Sequence, residues 1–199
     1  MINFRTASGR DIDMEHPQPE DFVIEDIALG LSHSCRFAGQ MPQFYSVAQH
    51  CILVSSIVDA PFRTAALLHD AHEAYTCDLP RNLKHHGMLK GYRDLAENMQ
   101  CVIEDSFGAG ITYADRVKHL KPADDAAAIF EFLILREGHL KCTEDKVRKL
   151  VASDFVRQPY EALAPFIERL PQVWTPLSPT EAKVGFMMCF ESYKRVLVP

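Results

Sequence analysis

The sequence lacks long apolar runs and any excess of positive charge. No hydrophobic stretch approaches the roughly 20 residues that a membrane-spanning helix needs, and the first residues, MINFRTASGRDIDMEHP, contain no apolar signal-peptide core. The 27 acidic side chains outnumber the 21 basic ones, which gives a net charge of -6 without the basic stripe of a nucleic-acid binder. We therefore expect neither a membrane nor a nucleic acid as a partner, although a few local cations could still bind a small phosphorylated ligand.

Closely spaced cysteine pairs are also missing. The six cysteines form no CxxC motif and no dense framework; they are Cys35, Cys51, Cys77, Cys101, Cys142 and Cys189. Scattered thiols fit a reduced cytosolic protein better than a disulfide scaffold or a zinc ribbon. We therefore expect a cytoplasmic location.

What the sequence does contain is mainly helical periodicity. NFRTASGRDIDM reads as a short hairpin around Ser8-Gly9. Helices are predicted for VIEDIALGLSHSCRF, for VAQHCILVSSIV after a Ser46 cap, for the segment around AALLHDAHEAY, for about 91–107, for KPADDAAAIFEFLILREG, and for AKVGFMMCFESYKRVL after a capping box at 178–181. Without repeats or a linker, residues 1–199 are expected to form a single all-α domain with an N-terminal β-hairpin.

The stretch AALLHDAHEAYTCD begins like a buried helix and then becomes a cluster of titratable groups. On a helix, His69 and Glu73 would lie side by side, with Asp70 about 60° beyond Glu73. Burying such groups is costly unless they are paired or bind a metal. Imidazole nitrogen together with carboxylate oxygen suits a divalent metal such as Zn, Mn, Fe or Co. The segment therefore indicates an incomplete metal site.

Two distant residues could complete this site. His50 lies next to the apolar stripe of its predicted helix, and Asp124 opens the most apolar helix of the chain, with Asp125 as a competing candidate. A lone histidine on an apolar face is more often a hydrogen-bonded core residue than a ligand. The combination of His50, a His-Asp doublet and an acid entering a buried helix nevertheless favours a metal centre.

This order, His50, His69-Asp70 and Asp124, resembles the H…HD…D signature of the HD-domain metal-dependent phosphohydrolases. ALLHDAHEAYTCDLP is similar to the LLHDxxExxTGDxP block of bacterial 5′-deoxynucleotidases. CRFAGQMPQFYSVAQH resembles the corresponding stretch of a phage and bacterial subgroup that includes dATP triphosphohydrolases. The resemblance covers roughly 24–138 and leaves 139–199 without a motif. Cys77 stands where that family usually has Gly, which leaves open a differently built turn before Asp78.

The resemblance implies a fold, a cofactor and a set of site residues. The fold would be a single HD-domain helical bundle, and the cofactor a divalent ion (Co, Mn, Zn or Fe, with Mg at additional phosphate-bound sites). The implied metal ligands are His50, His69, Asp70 and Asp124, where Asp124 matches the family pattern K-x-A-D. The implied catalytic residues are Glu73, which would move the proton of the attacking water, and Asp70.

The implied substrate-binding residues are Asp78 at the sugar and Arg36, Lys84 and Lys121 at the phosphates, with Phe37 either in the core or stacked on the sugar. Glu131, seven residues after Asp124, would lie on the same helix face and could support the site from outside the ligand shell. Trp174 could line the pocket or anchor the C-terminal loop.

The resemblance also implies a reaction. Water would attack the α-phosphorus of a deoxynucleotide and release the nucleoside, with dATP giving deoxyadenosine and triphosphate favoured over a monophosphate giving phosphate. Two alternatives remain open, because a fold does not fix a function: hydrolysis of another phosphoester or signalling nucleotide, and metal-stabilised nucleotide binding without catalysis. Glu73 favours an enzyme, because a binding protein has no need for that carboxylate. The partner is expected to be a small nucleotide, and a homo-oligomer is left open.

Overall fold

The computed structural model describes residues 2–84, 86–139 and 141–194. It is mostly helical, with a small antiparallel sheet at its N-terminal end. Strand β1 (Asn3–Arg5) pairs with β2 (Asp11–Asp13), and Phe4 lies opposite Ile12. The turn between the strands contains Gly9 at φ 85°, a conformation that glycine adopts without steric cost. The predicted hairpin is confirmed.

The helices follow in chain order from residue 24. They are α1 (Ile24–His33), α2 (Val47–Ile57), α3 (Arg63–Leu67), α4 (Glu73–Thr76), α5 (Arg81–Lys84), α6 (Lys90–Ser106), α7 (Tyr113–Asp115), α8 (Lys121–Phe130), α9 (Glu144–Ala152), α10 (Tyr160–Ile167) and α11 (Pro179–Lys194). Two π-helical segments, Arg116–Leu120 and Glu131–Arg136, flank α8. Within the described ranges, no helix is both long and apolar enough to cross a bilayer.

Two predicted helix starts are confirmed by their caps. Ser46 Oγ accepts a hydrogen bond from the backbone N–H of Gln49 at 3.2 Å, which begins α2. At α11, the backbone N–H of Glu181 donates to Ser178 Oγ at 3.3 Å, and Glu181 Oε2 accepts from the backbone N–H of Ser178 at 2.9 Å. These reciprocal bonds form the predicted capping box.

Helix α2 lies between two clusters of buried apolar side chains. Its first half contributes Val47, Ala48 and Cys51 to a cluster with α1, α6 and α11. Its second half contributes Leu53 and Ile57 to a cluster with α8 and α10. The middle of α2 is therefore buried against both clusters, and His50, in that position, has no exposed surface.

The prediction of one continuous helix through the His69-Asp70 doublet was wrong. Helix α3 ends at Leu67 and α4 begins at Glu73, and the intervening backbone forms turns. The side chain of Gln100, on α6, satisfies backbone groups at this break: its Nε2 donates to Leu68 O at 2.7 Å, and its Oε1 accepts from the backbone N–H of His72 at 3.1 Å. Helical spacing could not predict the break, because its hydrogen-bond partner is distant in sequence.

The turn that precedes Asp78 contains Cys77 at φ 67° and ψ 153°. This region of backbone conformation is almost restricted to glycine, and a residue with a Cβ atom is strained there by roughly 1–3 kcal/mol. Tyr92 Oη donates to Cys77 O at 3.1 Å and so holds the turn in place. The family that the sequence resembles usually has glycine at this position. Cys77 therefore occupies a backbone conformation that suits that glycine.

Helix α1 packs closely against α4, the helix that begins with Glu73. A Cβ atom on Gly30 would lie 2.7 Å from Ala74 O and 2.8 Å from Ala74 Cβ, closer than van der Waals contact allows. Gly30→Ala should therefore push α4 away and lower the free energy of unfolding by about 1–3 kcal/mol, measured by urea denaturation. Gly91→Ala is the control, because the space around Gly91 on α6 is open. Equal effects of the two substitutions would contradict this packing argument.

Candidate metal centre and adjoining pocket

Four side chains from three parts of the chain meet at one point: His50 of α2, His69 and Asp70 of the turn after α3, and Asp124 of α8. His50 Nε2 lies 3.0 Å from Asp124 Oδ1 and 3.9 Å from Asp70 Oδ2. His69 Nε2 lies 3.3 Å from Asp70 Oδ2 and 3.8 Å from Asp124 Oδ1. The structure therefore brings together all four residues that the sequence motif predicted as ligands.

Both histidines turn their Nε2 atoms towards this point. His50 Nδ1 donates to Glu131 Oε1 at 2.7 Å, and His69 Nδ1 donates to Ala66 O at 2.7 Å. The two Nε2 atoms are buried and make no hydrogen bond to any described residue. Metal-ligating histidines characteristically donate their other ring N–H in this way, and buried polar atoms without partners are rare. The donor set therefore fits a divalent metal ion.

The two aspartates are held in their ionised form. Burial alone would raise the pKa of Asp70, but the neighbouring His69 lowers it to about 2. Burial opposes ionisation of Asp124 as well, yet the adjacent imidazoles of His50 and His69 hold its pKa well below the ordinary value. Metal ligands must be deprotonated, and these carboxylates meet that requirement at neutral pH.

Asp124, rather than its neighbour Asp125, lies at the histidines. Asp125 Oδ1 accepts a hydrogen bond from Arg81 Nη2 at 2.7 Å, and its Oδ2 accepts from the backbone N–H of Gln158 at 3.3 Å. Adjacent residues on a helix point about 100° apart, so only one of the two can face the ligand cluster. This geometry agrees with the preference for Asp124 that the K-x-A-D pattern indicated.

Cys51 is a donor that sequence reasoning missed, because its spacing predicted only a place in the apolar stripe of α2. Its Sγ lies within 4.8 Å of ligand atoms of His69 and Asp70, and the side chain is fully buried. Burial raises the pKa of the Cys51 thiol to about 11. The thiol is therefore a weaker candidate ligand at neutral pH than the ionised carboxylates.

A cavity of about 720 Å³ adjoins the cluster, a size within the usual range for small-molecule sites. Asp70 and Asp124 line it, whereas His50 and His69 are absent from its wall. The other charged side chains of the wall are Arg36, Glu73, Asp78, Arg81, Lys84, Arg136 and Asp154. The cluster therefore presents its carboxylates to a space that also contains several cations.

Four of the five predicted substrate-binding residues line this cavity: Arg36, Phe37, Asp78 and Lys84. Lys121 is absent from the wall; it is exposed, and its Nζ lies 5.8 Å from the ring centroid of Tyr113. Phe37 lies on the wall rather than in the core. Its backbone has a φ angle of 54°, and the next residue, Ala38, has a φ angle of 51°. Such paired left-handed residues are uncommon without glycine and cluster at functional sites.

Two cations of the wall, Arg36 and Lys84, are already paired with carboxylates. Arg36 bridges two acids, with Nη2 at 3.3 Å from Glu131 Oε2 and Nη1 at 3.5 Å from Asp78 Oδ2. Lys84 Nζ donates to Glu73 Oε1 at 2.6 Å. An anionic ligand that entered the cavity would therefore compete with these acids for the same cations.

Glu73 is the most deeply buried acid of the wall, with 1% of its surface exposed. Its Oε1 accepts from Lys84, whereas its Oε2 is buried without a hydrogen-bond partner among the described residues. Burial, followed by the charges of Asp70 and Asp78, raises the pKa of Glu73 well above its ordinary value. The carboxylate therefore binds a proton more readily than an exposed glutamate does.

Sequence reasoning missed several residues of the wall. Arg81 and Asn82 lie on α5 beside Lys84, and the spacing of Arg81 and Lys84 in PRNLK could have indicated a shared helix face. Arg136 and residues 153–155 also line the cavity. The 153–155 loop comes from the part of the chain without a motif, so no sequence signal pointed to it.

Comparison with known proteins identifies relatives without a known activity. The chain is 41% identical over 119 residues to the uncharacterized protein YfdR of Escherichia coli (strain K12), a match that covers 60% of this chain and 66% of YfdR. It is 35% identical over 137 residues to an uncharacterized protein of Rhodobacter capsulatus. This match covers 64% of this chain and 69% of the Rhodobacter protein. The chain belongs to the family of this Rhodobacter protein. No protein-family model matches the chain.

The Asp124–Asp125 pair allows a direct test of the metal centre. Loss of an outer-shell partner typically lowers metal affinity by roughly 10–100-fold. Asp124→Asn should weaken binding of Co²⁺ or Zn²⁺ by more than this, because it alters a ligand itself. Asp125→Asn should leave metal binding within a few-fold of the wild type, since Asp125 bonds to Arg81 instead. Isothermal titration of both variants measures the difference. Equal affinities would show that Asp124 is not a ligand.

Proposed function

We propose that this protein is an HD-domain metal-dependent phosphohydrolase that acts on deoxynucleotides. One observation carries the proposal: two buried histidine Nε2 atoms, without a hydrogen bond to a described residue, converge with Asp70 and Asp124 beside a cavity whose wall also contains Glu73. These side chains form a set of metal donors. The neighbouring carboxylate of Glu73 has one oxygen, Oε2, without a hydrogen-bond partner among the described residues. The order of the residues in the chain agrees with the H…HD…D signature that the sequence resembles.

His50, His69, Asp70 and Asp124 would hold the ion. A bound divalent ion lowers the pKa of a water molecule and polarises a phosphoryl oxygen. The mixed nitrogen and oxygen donors suit Co, Mn, Zn or Fe. Asp70 and Asp124 also give the cavity a negative wall, so the cations beside them are needed to accept a phosphate.

Glu73 would act as the general base. Its Oε2 has no hydrogen-bond partner among the described residues, so it can accept a hydrogen bond from the attacking water. Burial raises its pKa, so the carboxylate has a higher affinity for a proton than an exposed glutamate, a property that favours a general base. Lys84, at 2.6 Å from Oε1, fixes the carboxylate and limits that rise in pKa. The proton would later pass to the 5′-oxygen of the departing nucleoside.

Arg36, Arg81 and Lys84 would bind the phosphates. An arginine can hold a phosphate through two parallel hydrogen bonds, whereas a lysine acts as a point charge. Their positive charge would also stabilise the negative charge of the transition state. Asp78 and Phe37, on the same wall, are the candidates for contact with the sugar. The resemblance of CRFAGQMPQFYSVAQH to the dATP triphosphohydrolase subgroup favours dATP as the substrate over a deoxynucleoside monophosphate.

A substrate panel tests the proposal. Nucleoside mono-, di- and triphosphates are incubated with the protein and Mn²⁺, Co²⁺, Zn²⁺ or Mg²⁺, and products are separated by chromatography. We expect deoxyadenosine and triphosphate from dATP, or a deoxynucleoside and phosphate from a monophosphate. Nucleotide binding without turnover under every condition would favour a non-catalytic binding protein. Turnover limited to ribonucleotides would favour an HD hydrolase with a different substrate.

Glu73 is the residue whose replacement separates catalysis from binding. Glu73→Gln should retain metal and nucleotide while kcat falls by roughly 10²–10⁴-fold, the loss expected when a general base is removed. Metal content is measured by elemental analysis and kcat by the release of nucleoside. His69→Ala is the comparison, because it should lose the metal itself. Turnover of Glu73→Gln within a few-fold of wild type, or metal loss equal to that of His69→Ala, would refute the role of Glu73.

A further inference from the structure

A chain of three hydrogen bonds, two of them buried, runs from Trp174 to His50. Trp174 Nε1 donates to Tyr45 Oη at 3.0 Å, and Tyr45 Oη donates to Glu131 Oε1 at 3.1 Å. The same oxygen, Glu131 Oε1, accepts from His50 Nδ1 at 2.7 Å. Tyr45 is 1% exposed, and Glu131 and His50 are fully buried. The four residues come from three distant parts of the sequence, yet each contacts the next directly.

The Trp174 end of this series of hydrogen bonds is fixed to α2, the helix that carries His50. Gln49, which precedes His50 on α2 and is 1% exposed, donates from Nε2 to Thr175 O at 2.6 Å. Gln49 Oε1 accepts from the backbone N–H of Leu177 at 2.8 Å. Both backbone groups follow Trp174 closely in sequence. The segment 174–177 is therefore attached to α2 through Gln49, and to Tyr45, just before α2, through Trp174.

Glu131 can transmit the position of Tyr45 to His50 because its carboxylate is held on every side. Oε1 accepts from Tyr45 and His50, and Oε2 accepts from Arg36 Nη2 at 3.3 Å. His50 and Arg36 lower the pKa of Glu131 even though burial opposes this, so the carboxylate is ionised. Burial and the charge of Glu131 raise the pKa of Tyr45, so its hydroxyl keeps the proton that it donates. A side chain held in this way has one available orientation.

We propose that Tyr45 and Trp174 are positioning residues for His50 and that, through Glu131, they set the affinity of the metal centre. Glu131 orients the imidazole, Tyr45 orients Glu131, and Trp174 orients the hydroxyl of Tyr45. This inference rests on the proposed function only in its assumption that a metal is bound at His50. It gives the C-terminal segment, which has no catalytic motif, a role at the site.

Tyr75 provides a matched control for Tyr45. It is also a buried tyrosine, 8% exposed, but its hydroxyl has no hydrogen-bond partner among the described residues. Tyr45→Phe and Tyr75→Phe therefore each remove a hydroxyl from a buried ring. Only Tyr45→Phe also removes hydrogen bonds, those to Glu131 and Trp174. A difference between the two variants isolates the hydrogen bonds from packing.

The experiment titrates the purified full chain and its variants with Co²⁺ and records both the dissociation constant and the visible absorption spectrum of the bound ion. Tyr45→Phe should raise the Co²⁺ Kd several-fold, up to about tenfold, and change the spectrum, because Glu131, the outer-shell partner of His50, loses a hydrogen bond that orients it. Trp174→Phe should have a smaller effect in the same direction, since it acts one step further away. Tyr75→Phe should match the wild type in both measurements.

Two results would overturn the inference. The first is a wild-type Kd and spectrum in both Tyr45→Phe and Trp174→Phe, which would mean that the hydrogen bonds do not reach His50. The second is an equal change in Tyr45→Phe and Tyr75→Phe, which would reflect a general loss of packing. Should Tyr45→Phe fail to fold, as judged by circular dichroism, Trp174→Phe decides alone. Wild-type protein that binds Co²⁺ but hydrolyses no nucleotide would refute the proposed function and leave this inference standing.

Discussion

The buried hydrogen bond between His50 Nδ1 and Glu131 Oε1 joins α2 to the π-helical segment after α8, and the candidate site depends on it. It leaves His50 Nε2 as the atom that faces Asp124 and Asp70. It also places an ionised carboxylate in the interior, which Arg36 and Tyr45 then satisfy. Removing either member would leave a buried polar group without its partner, a change that typically costs several kcal/mol.

The charges around this bond explain why the site could hold a divalent cation. Three permanent cations lie at the site: Arg36, Arg81 and Lys84. Six carboxylates contact these cations or the two histidines: Asp70, Glu73, Asp78, Asp124, Asp125 and Glu131. With neutral histidines and ionised acids, negative charge is in excess, and burying uncompensated charge is costly. Burial and the neighbouring acids raise the pKa of Glu73, and neighbouring carboxylates raise the pKa values of His50 and His69. A divalent ion would relieve the same excess.

The sequence predicted the parts of the fold and site that depend on local pattern. The hairpin around Gly9, the Ser46 cap and the capping box at Ser178 follow from short-range chemistry, and the structure contains all three. Asp124 was preferred over Asp125 from a motif. What local pattern could not predict was set by distant partners: the helix break at His69 relies on Gln100, and the bond of Trp174 to Tyr45 spans 129 residues. Lys121, chosen from its motif alone, lies outside the cavity wall.

The proposed function requires that one divalent ion binds between His50, His69, Asp70 and Asp124. Anomalous diffraction from crystals grown with Zn²⁺ tests it most directly, because the difference map locates the ion independently of activity. We predict a single strong peak within about 2.0–2.3 Å of His50 Nε2, His69 Nε2 and an oxygen of each aspartate. A peak bound by Cys51 Sγ, His69 and Asp70 but distant from His50 and Asp124, or no peak at these residues, would contradict the account.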